Sequence, residues 1–251
     1  MSKKFRNIFI LGGHELSFSY FEKIKKAKND DKIDYEHIYL ITPETNSYAH
    51  QELTSQNLNL QQFIINTSYH DFILTHGPAN GAGARHRKQD KRTTPQTGQA
   101  HDAVVPDHTA KHTMLQTYLQ IAEKHNPQLS PIDLIINLPF IKKLEKEAIW
   151  ALSYATWTCP LYCDEPEICP YTTKQRDWDL GKIRIDGSMG RGVVGIFSCE
   201  PLVDEIVYIS MLSIYEQIEA FQEQLNTNQL KEVYVFTHSH CHGILGKFIV
   251  D

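Results

Sequence analysis

Three of the five cysteines, Cys159, Cys163 and Cys169, fall within one short run that also carries Pro160, Pro166 and Pro170. Thiolates this close on a proline-rich turn are what a chain supplies to hold a soft metal or a cluster, because several sulfurs must converge on one point. The spacing Cys-x3-Cys-x5-Cys gives three ligands, and the fourth is expected at Cys241, in the run Thr237-His238-Ser239-His240-Cys241-His242-Gly243. Zinc sites are usually built from Cys-x2-Cys knuckles, which these spacings do not match. Iron–sulfur sites accept wider spacings and a proline after a ligand cysteine, as at Pro160 and Pro170. The expected centre is therefore an iron–sulfur cluster (4Fe–4S in the four-cysteine form), with zinc as the alternative. His240 and His242 are further ligand candidates, or would tune the potential and handle protons beside the cluster. A thiol enzyme with Cys163 or Cys241 as nucleophile is a third reading. Cys199 stands apart and reads as a small buried hydrophobe.

The rest of the chain must position these groups. Its 251 residues suffice for one large α/β domain or two small ones. An apolar fraction of 41% and a charged fraction of 22% describe a globular protein. A formal charge of −5 argues against nonspecific binding of nucleic acid. No apolar stretch approaches the roughly 18 residues of a membrane span. A cytoplasmic location is expected, where clustered cysteines serve as metal ligands or redox groups more often than as disulfides.

Strands are expected at 7–11, 37–42, 71–75, 102–106 and 132–138, and helices at 17–28, 52–66 and 108–125. This alternation implies a mainly parallel, Rossmann-like sheet over residues 1–140. Beyond it lies a cysteine-rich α/β lobe, 141–251, with helices at 142–154 and 204–225 and strands at 193–197 and 232–237. Residues 77–99 contain almost no large apolar side chain and read as a mobile loop with a basic centre at 85–92. His108 and His112, four apart on an expected helix, could share a metal or simply cap and cover it.

After the first expected strand comes Gly12-Gly13-His14-Glu15-Leu16-Ser17. A dinucleotide fingerprint needs three glycines, and here only the turn glycine is kept. His14 and Ser17 stand at the later positions, where side chains crowd the phosphate path. Gly12 and Gly13 remain the candidate cofactor-binding residues for a nucleotide, with weaker support than the metal has.

Taken together, Gly12 and Gly13, Val105-Pro106, Cys159-Pro160 with Cys163, Glu165, Pro166 and Cys169, and Cys241-His242-Gly243 resemble the pattern of a small bacterial family. Its members open like the nucleotide-binding domain of potassium-uptake regulators and carry Cys-Pro-x-x-Cys-x-Glu-Pro…Cys and Cys-His-Gly motifs. The resemblance implies a Rossmann-like core with a cysteine-rich C-terminal lobe and supplies no substrate. The expected function is a cytosolic metal protein, iron–sulfur in the first instance, exchanging electrons with a redox or protein partner. The alternative is a non-enzymatic regulatory or sensor module with structural zinc and a degenerate nucleotide-binding half.

Overall fold

A computed structural model of the chain describes residues 2–76, 101–106, 112–134, 136–157, 165, 167–182, 193–204, 206–227 and 230–251. The basic loop expected at 77–99, together with His108, Cys159 and Cys163, lies outside the described residues. The protein is α/β, with two sheets. It divides into two units, Met1–Lys111 with Tyr208–Tyr215, and His112–Val207 with Glu216–Asp251. The division at 111 falls ahead of the boundary expected at 140, and a short later segment returns to the first unit.

The first unit runs β1 (Lys3–Leu11), α1 (Glu15–Asn29), β2 (Ile33–Thr42), α2 (Tyr48–Ser55), α3 (Leu60–Phe63), β3 (Ile64–Asn66), α4 (Tyr69–Thr75) and β4 (His101–Val105). β1 pairs in parallel with both β2 and β4, and β3 lies parallel to β2. These four strands lie in the order β3-β2-β1-β4, all parallel. Strands covered on both faces read as unbroken apolar runs, and Ile8, Phe9, Ile10 and Leu11 are all buried. α1 buries Phe18, Phe21 and Ile24 at three- and four-residue steps.

Two expectations fail here. Residues 52–66 are not one helix but α2, α3 and β3 in succession, broken where Asn57 takes a positive φ of 55°. Residues 71–75 are helix rather than strand. The Ser68 hydroxyl accepts the Asp71 N–H as an N-cap, and Phe72 and Ile73 are fully buried.

The second unit contains α5 (Thr113–Ile121), β5 (Gln128–Leu129), β6 (Phe140–Leu144), β7 (Ile149–Ser153), β8 (Val193–Ser198) and β9 (Glu200–Val203). β10 (Ile206–Ser210) and α6 (Met211–Asn226) run through Tyr208–Tyr215, which belongs to the first unit and in which Ile209 and Ser210 pair antiparallel with β4. β11 (Glu232–His238) and β12 (His242–Ile249) end the chain. The sheet order is β6-β7-β12-β11-β8, antiparallel except for the β11/β8 pair. On one face Tyr118 of α5 stacks on Phe221 of α6 at 4.4 Å. A Cβ on Gly246 would stand 2.5 Å from Leu115, so that glycine lets α5 lie directly on β12. On the other face Ile132, Leu134, Trp150, Leu152, Tyr234, Phe236 and Leu245 form a cluster completed by Leu180.

The helix expected at 142–154 is a hairpin. Glu145, Lys146 and Glu147 all take positive φ between β6 and β7, and pairing with β12 overrides the helix preference of a Lys- and Glu-rich stretch. The strand expected at 132–138 supplies Ile132 and Leu134 to the core as irregular chain. The helix expected from 204 begins only at Met211, after β10. No helix among the described residues is long and apolar enough to cross a membrane.

Candidate metal centre and adjoining cavity

The C-terminal hairpin carries the first part of the site. β11 and β12 pair down to His238 opposite Gly243, and the Ser239 N–H donates to the His242 carbonyl at 2.8 Å to close the turn. The turn amides then need acceptors. Glu165 supplies them: one carboxylate oxygen accepts the Ser239 hydroxyl at 2.6 Å and the Cys241 N–H at 3.2 Å, and the other accepts the His240 N–H at 2.8 Å. The turn carbonyls are used as well, His240 by the Leu180 N–H and Cys241 by the Tyr154 N–H, each at 3.0 Å. A buried leucine therefore anchors the segment that crosses the turn.

Cys169 sits in a hairpin of its own. Ile168 bridges to Gln175, the Cys169 N–H donates to the Lys174 carbonyl, and the Thr173 N–H donates back to Cys169. Thr173 is left-handed there, with φ 55°. Burial is the largest single influence on the Cys169 thiol and raises its pKa. Hydrogen bonds from the Thr172 hydroxyl and the Thr172 and Tyr171 amides, with the charge of Arg176, outweigh it and hold the thiol below its ordinary value. For Cys241 burial wins and the pKa is raised, although the Trp178 indole N–H donates to its sulfur at 3.2 Å and Arg176 also donates to it. The same guanidinium thus acts on both sulfurs.

Beside the turn, at the carboxyl ends of the parallel strands β8 and β11, is a cavity of about 300 Å³ lined by Asp179, Gly181, Lys182, Ser198, Cys199, His238, Ser239 and His240. Such strand ends are where open α/β sheets form their clefts. The His238 ring stacks on Phe236 at 4.7 Å and its Nδ1 meets the Ser239 carbonyl at 3.1 Å. Burial holds this imidazole below its ordinary pKa. His240 Nδ1 lies 3.4 Å from Asp179. Burial pushes the Cys199 thiol up to about 12, so it is an un-ionised group in this wall. His242 turns elsewhere, its Nδ1 3.0 Å from the Ser153 hydroxyl.

The expected ligands are therefore only partly placed. Cys169 and Cys241 are both buried free thiols, and Cys159 and Cys163 lie outside the described residues. Among the described residues no three His, Cys, Asp or Glu side chains form a group that could hold a metal ion. Asp179, Arg176 and Trp178 join the site without a motif to announce them. The run Arg176-Asp177-Trp178-Asp179, polar residues around one tryptophan in an irregular stretch, was the signal available.

In the first unit Gly12 and Gly13 follow β1 as expected. Gly12 has φ 128°, and a Cβ there would meet the Ser17 hydroxyl at 2.0 Å. A Cβ on Gly13 would meet Thr42 Oγ1 at 2.6 Å and Ser47 at 2.7 Å. His14 caps α1. Both glycines are thus required by the chain's own packing, whatever else the turn holds.

Residues 109–251 match a family model described as AF_1314_C, Uncharacterized protein, C-terminal domain. No curated protein and no solved structure matches the chain.

Proposed function

Since the chain belongs to the AF_1314_C family through the half that carries every cysteine, we propose that its second unit holds a thiolate metal centre with Cys159, Cys163, Cys169 and Cys241 as ligands. The preferred occupant is an iron–sulfur cluster. Such a cluster supplies one-electron transfer, here to or from a partner protein or small redox substrate. The observation that carries the reading is Glu165. It stands between Cys163 and Cys169 in sequence, and its carboxylate accepts the Ser239 hydroxyl and the backbone N–H groups of His240 and Cys241. A residue of the cysteine-bearing segment is thereby bonded to the turn that carries Cys241, more than seventy residues later. Arg176, acting on both Cys169 and Cys241, supports the same convergence. His240 and His242 flank the proposed ligand Cys241.

A second reading, structural zinc, is favoured by the two amides aimed at the Cys169 sulfur, an arrangement that suits a tetrahedral thiolate site. The glycine turn of the first unit adds little to a nucleotide reading, because its own hydroxyls fill the space that the glycines leave.

Anaerobic purification separates these readings. A brown protein absorbing broadly near about 400 nm, with iron and sulfide that are lost in Cys169→Ser and Cys241→Ser, is expected for the cluster. A colourless protein with one tightly held zinc would replace it with the structural reading. Protein with neither metal would end both.

A further inference from the structure

Both described cysteine turns are pinned to one short segment, residues 176–180. The Arg176 N–H donates to the Glu167 carbonyl at 2.6 Å, just ahead of Cys169, and the Leu180 N–H donates to the His240 carbonyl at 3.0 Å, just ahead of Cys241. Leu180 is fully buried, which fixes that end. Between these anchors Trp178 aims its indole N–H at Cys241 Sγ, 3.2 Å away. The Tyr154 ring packs against that indole at 6.2 Å, and the Tyr154 N–H donates to the Cys241 carbonyl at 3.0 Å. An indole N–H can only donate, so it favours a sulfur that carries negative charge over a neutral thiol. Arg176, on the same segment, brings a guanidinium whose charge acts on Cys241 and Cys169 alike.

We propose that Trp178 and Arg176 raise the reduction potential of the thiolate centre, Trp178 by donating to the Cys241 sulfur and Arg176 by compensating the charge of both sulfurs. This inference rests on the iron–sulfur reading above. Several thiolates gathered in one buried place concentrate negative charge, and an added electron increases it. A donor to sulfur and a nearby cation stabilise the more negative state, so reduction becomes easier. Both are positioning residues, since they act through ligand sulfurs and not on a substrate. Trp178 serves one sulfur and Arg176 two, so Arg176 has the larger effect.

The test is a dithionite titration, with redox mediators, of the anaerobically purified full-length protein. Cluster absorption reports reduction, and iron and sulfide are measured in every variant. Trp178→Phe keeps an aromatic ring beside Tyr154 and removes the donor. It should make reduction about tenfold less favourable, a fall of about 59 mV for a one-electron couple. Arg176→Met should lower the potential further, and Arg176→Lys, which keeps the charge, should restore most of the loss. Trp150→Phe is the control, because that indole donates to the Glu147 carbonyl at 3.0 Å, and its potential should match the wild type. Should Trp178→Phe fail to assemble a cluster, the two Arg176 variants decide. Equal potentials in wild type, Trp178→Phe and Arg176→Met would overturn the inference and leave the cluster standing. An equal fall in Trp150→Phe would do the same. A colourless protein, with zinc or with no metal, would overturn it together with the reading it rests on.

Discussion

The two units each place a turn at the carboxyl end of a central strand, and the two turns are furnished in opposite ways. After β1 the chain spends its glycines on itself: Ser17, Thr42 and Ser47 crowd the space beside Gly12 and Gly13, and the Ser47 hydroxyl bonds to His50 at 2.8 Å. After β11 the turn amides are gathered by a carboxylate from a distant segment, and a cavity with two half-engaged histidines is left beside them. A glycine turn is thus poor evidence of a ligand when small polar side chains already occupy its hollow. A turn whose amides are neutralised from elsewhere, while its side chains face a void, is better evidence.

The sharpest way to break this contrast is Gly12→Ala. The backbone at φ 128° strains any L residue, and the new methyl group would overlap the Ser17 hydroxyl. A loss of about 3 kcal/mol or more is expected from strain and overpacking together. All three tryptophans, Trp150, Trp157 and Trp178, belong to the second unit. Thermal unfolding of this variant should therefore be followed by far-UV circular dichroism, which reads both units. A melting curve like the wild type would show that the turn is loosely packed and leave room there for a ligand.

Next in size is an acid response specific to the second unit. His112 caps α5 from a left-handed φ of 40°; its Nδ1 accepts the Leu115 N–H and its Nε2 donates to the Val235 carbonyl at 2.9 Å. Both nitrogens are used in their neutral roles. Burial, opposed by the Val235 and Ile244 carbonyls, lowers the pKa from 6.5 to about 4. Because the unfolded chain takes up this proton first, stability is complete above 6.5 and falls as pH drops toward 4, by about 3 kcal/mol at most. His112→Asn keeps a residue that caps helices and tolerates left-handed backbone. It should be less stable at pH 7 and lose that slope, as read by urea denaturation followed by tryptophan fluorescence. An undiminished slope in the variant would assign the acid response to other groups.

Glu165→Gln addresses the second turn directly. An amide is neutral and accepts at one end only, so the donors from Ser239, His240 and Cys241 all lose the charge they pointed at and at least one of them loses its acceptor. A cost of about 2 kcal/mol is expected, with altered Trp178 emission, because that indole donates to Cys241. Unchanged stability and emission would mean that the carboxylate merely rests on the turn, which removes the main support for convergence of the cysteines.

The legible parts of this chain were those whose pattern is local. β1 and β11 carry apolar runs covered on both faces, and β2 does so from Ile38 onward. The α6 stripe of Ile214, Ile218, Phe221 and Leu225 is visible because its burial follows the helical repeat. The 140–153 hairpin was hidden because a Lys- and Glu-rich stretch carries a helical preference, and only the distant β12 overrules it. The short helix at 69–75 was hidden for a different reason. Its signal is the cap at Ser68, not a periodic stripe. At the site, residue types revealed Cys169 and Cys241 as candidates. Asp179 and Glu165 take their roles from contacts with the distant 239–241 turn, and no spacing encodes those.

The smallest expected effect concerns ion pairs, where the units again mirror one another. In the first unit the acid is the sheltered partner: Asp102 is 18% exposed and bonds to Arg6 and Asn7. In the second the base is sheltered. The Lys247 side chain is 3% exposed between Asp133 at 2.8 Å and Glu232 at 3.0 Å. Burial pulls its pKa down, but hydrogen bonds to Asp133, Glu232 and Tyr234 more than reverse this. Both carboxylates reach solvent, at 70% and 47% exposure, so they rehydrate freely when the ammonium is removed. Lys247→Met should therefore change stability by less than about 1 kcal/mol, since an apolar chain of similar length replaces a charge that was costly to bury. Removing both acids instead strands that charge and should cost several times more. Chemical denaturation of the two variants side by side decides it: equal losses would show that attraction, rather than the asymmetry of burial, governs this pair.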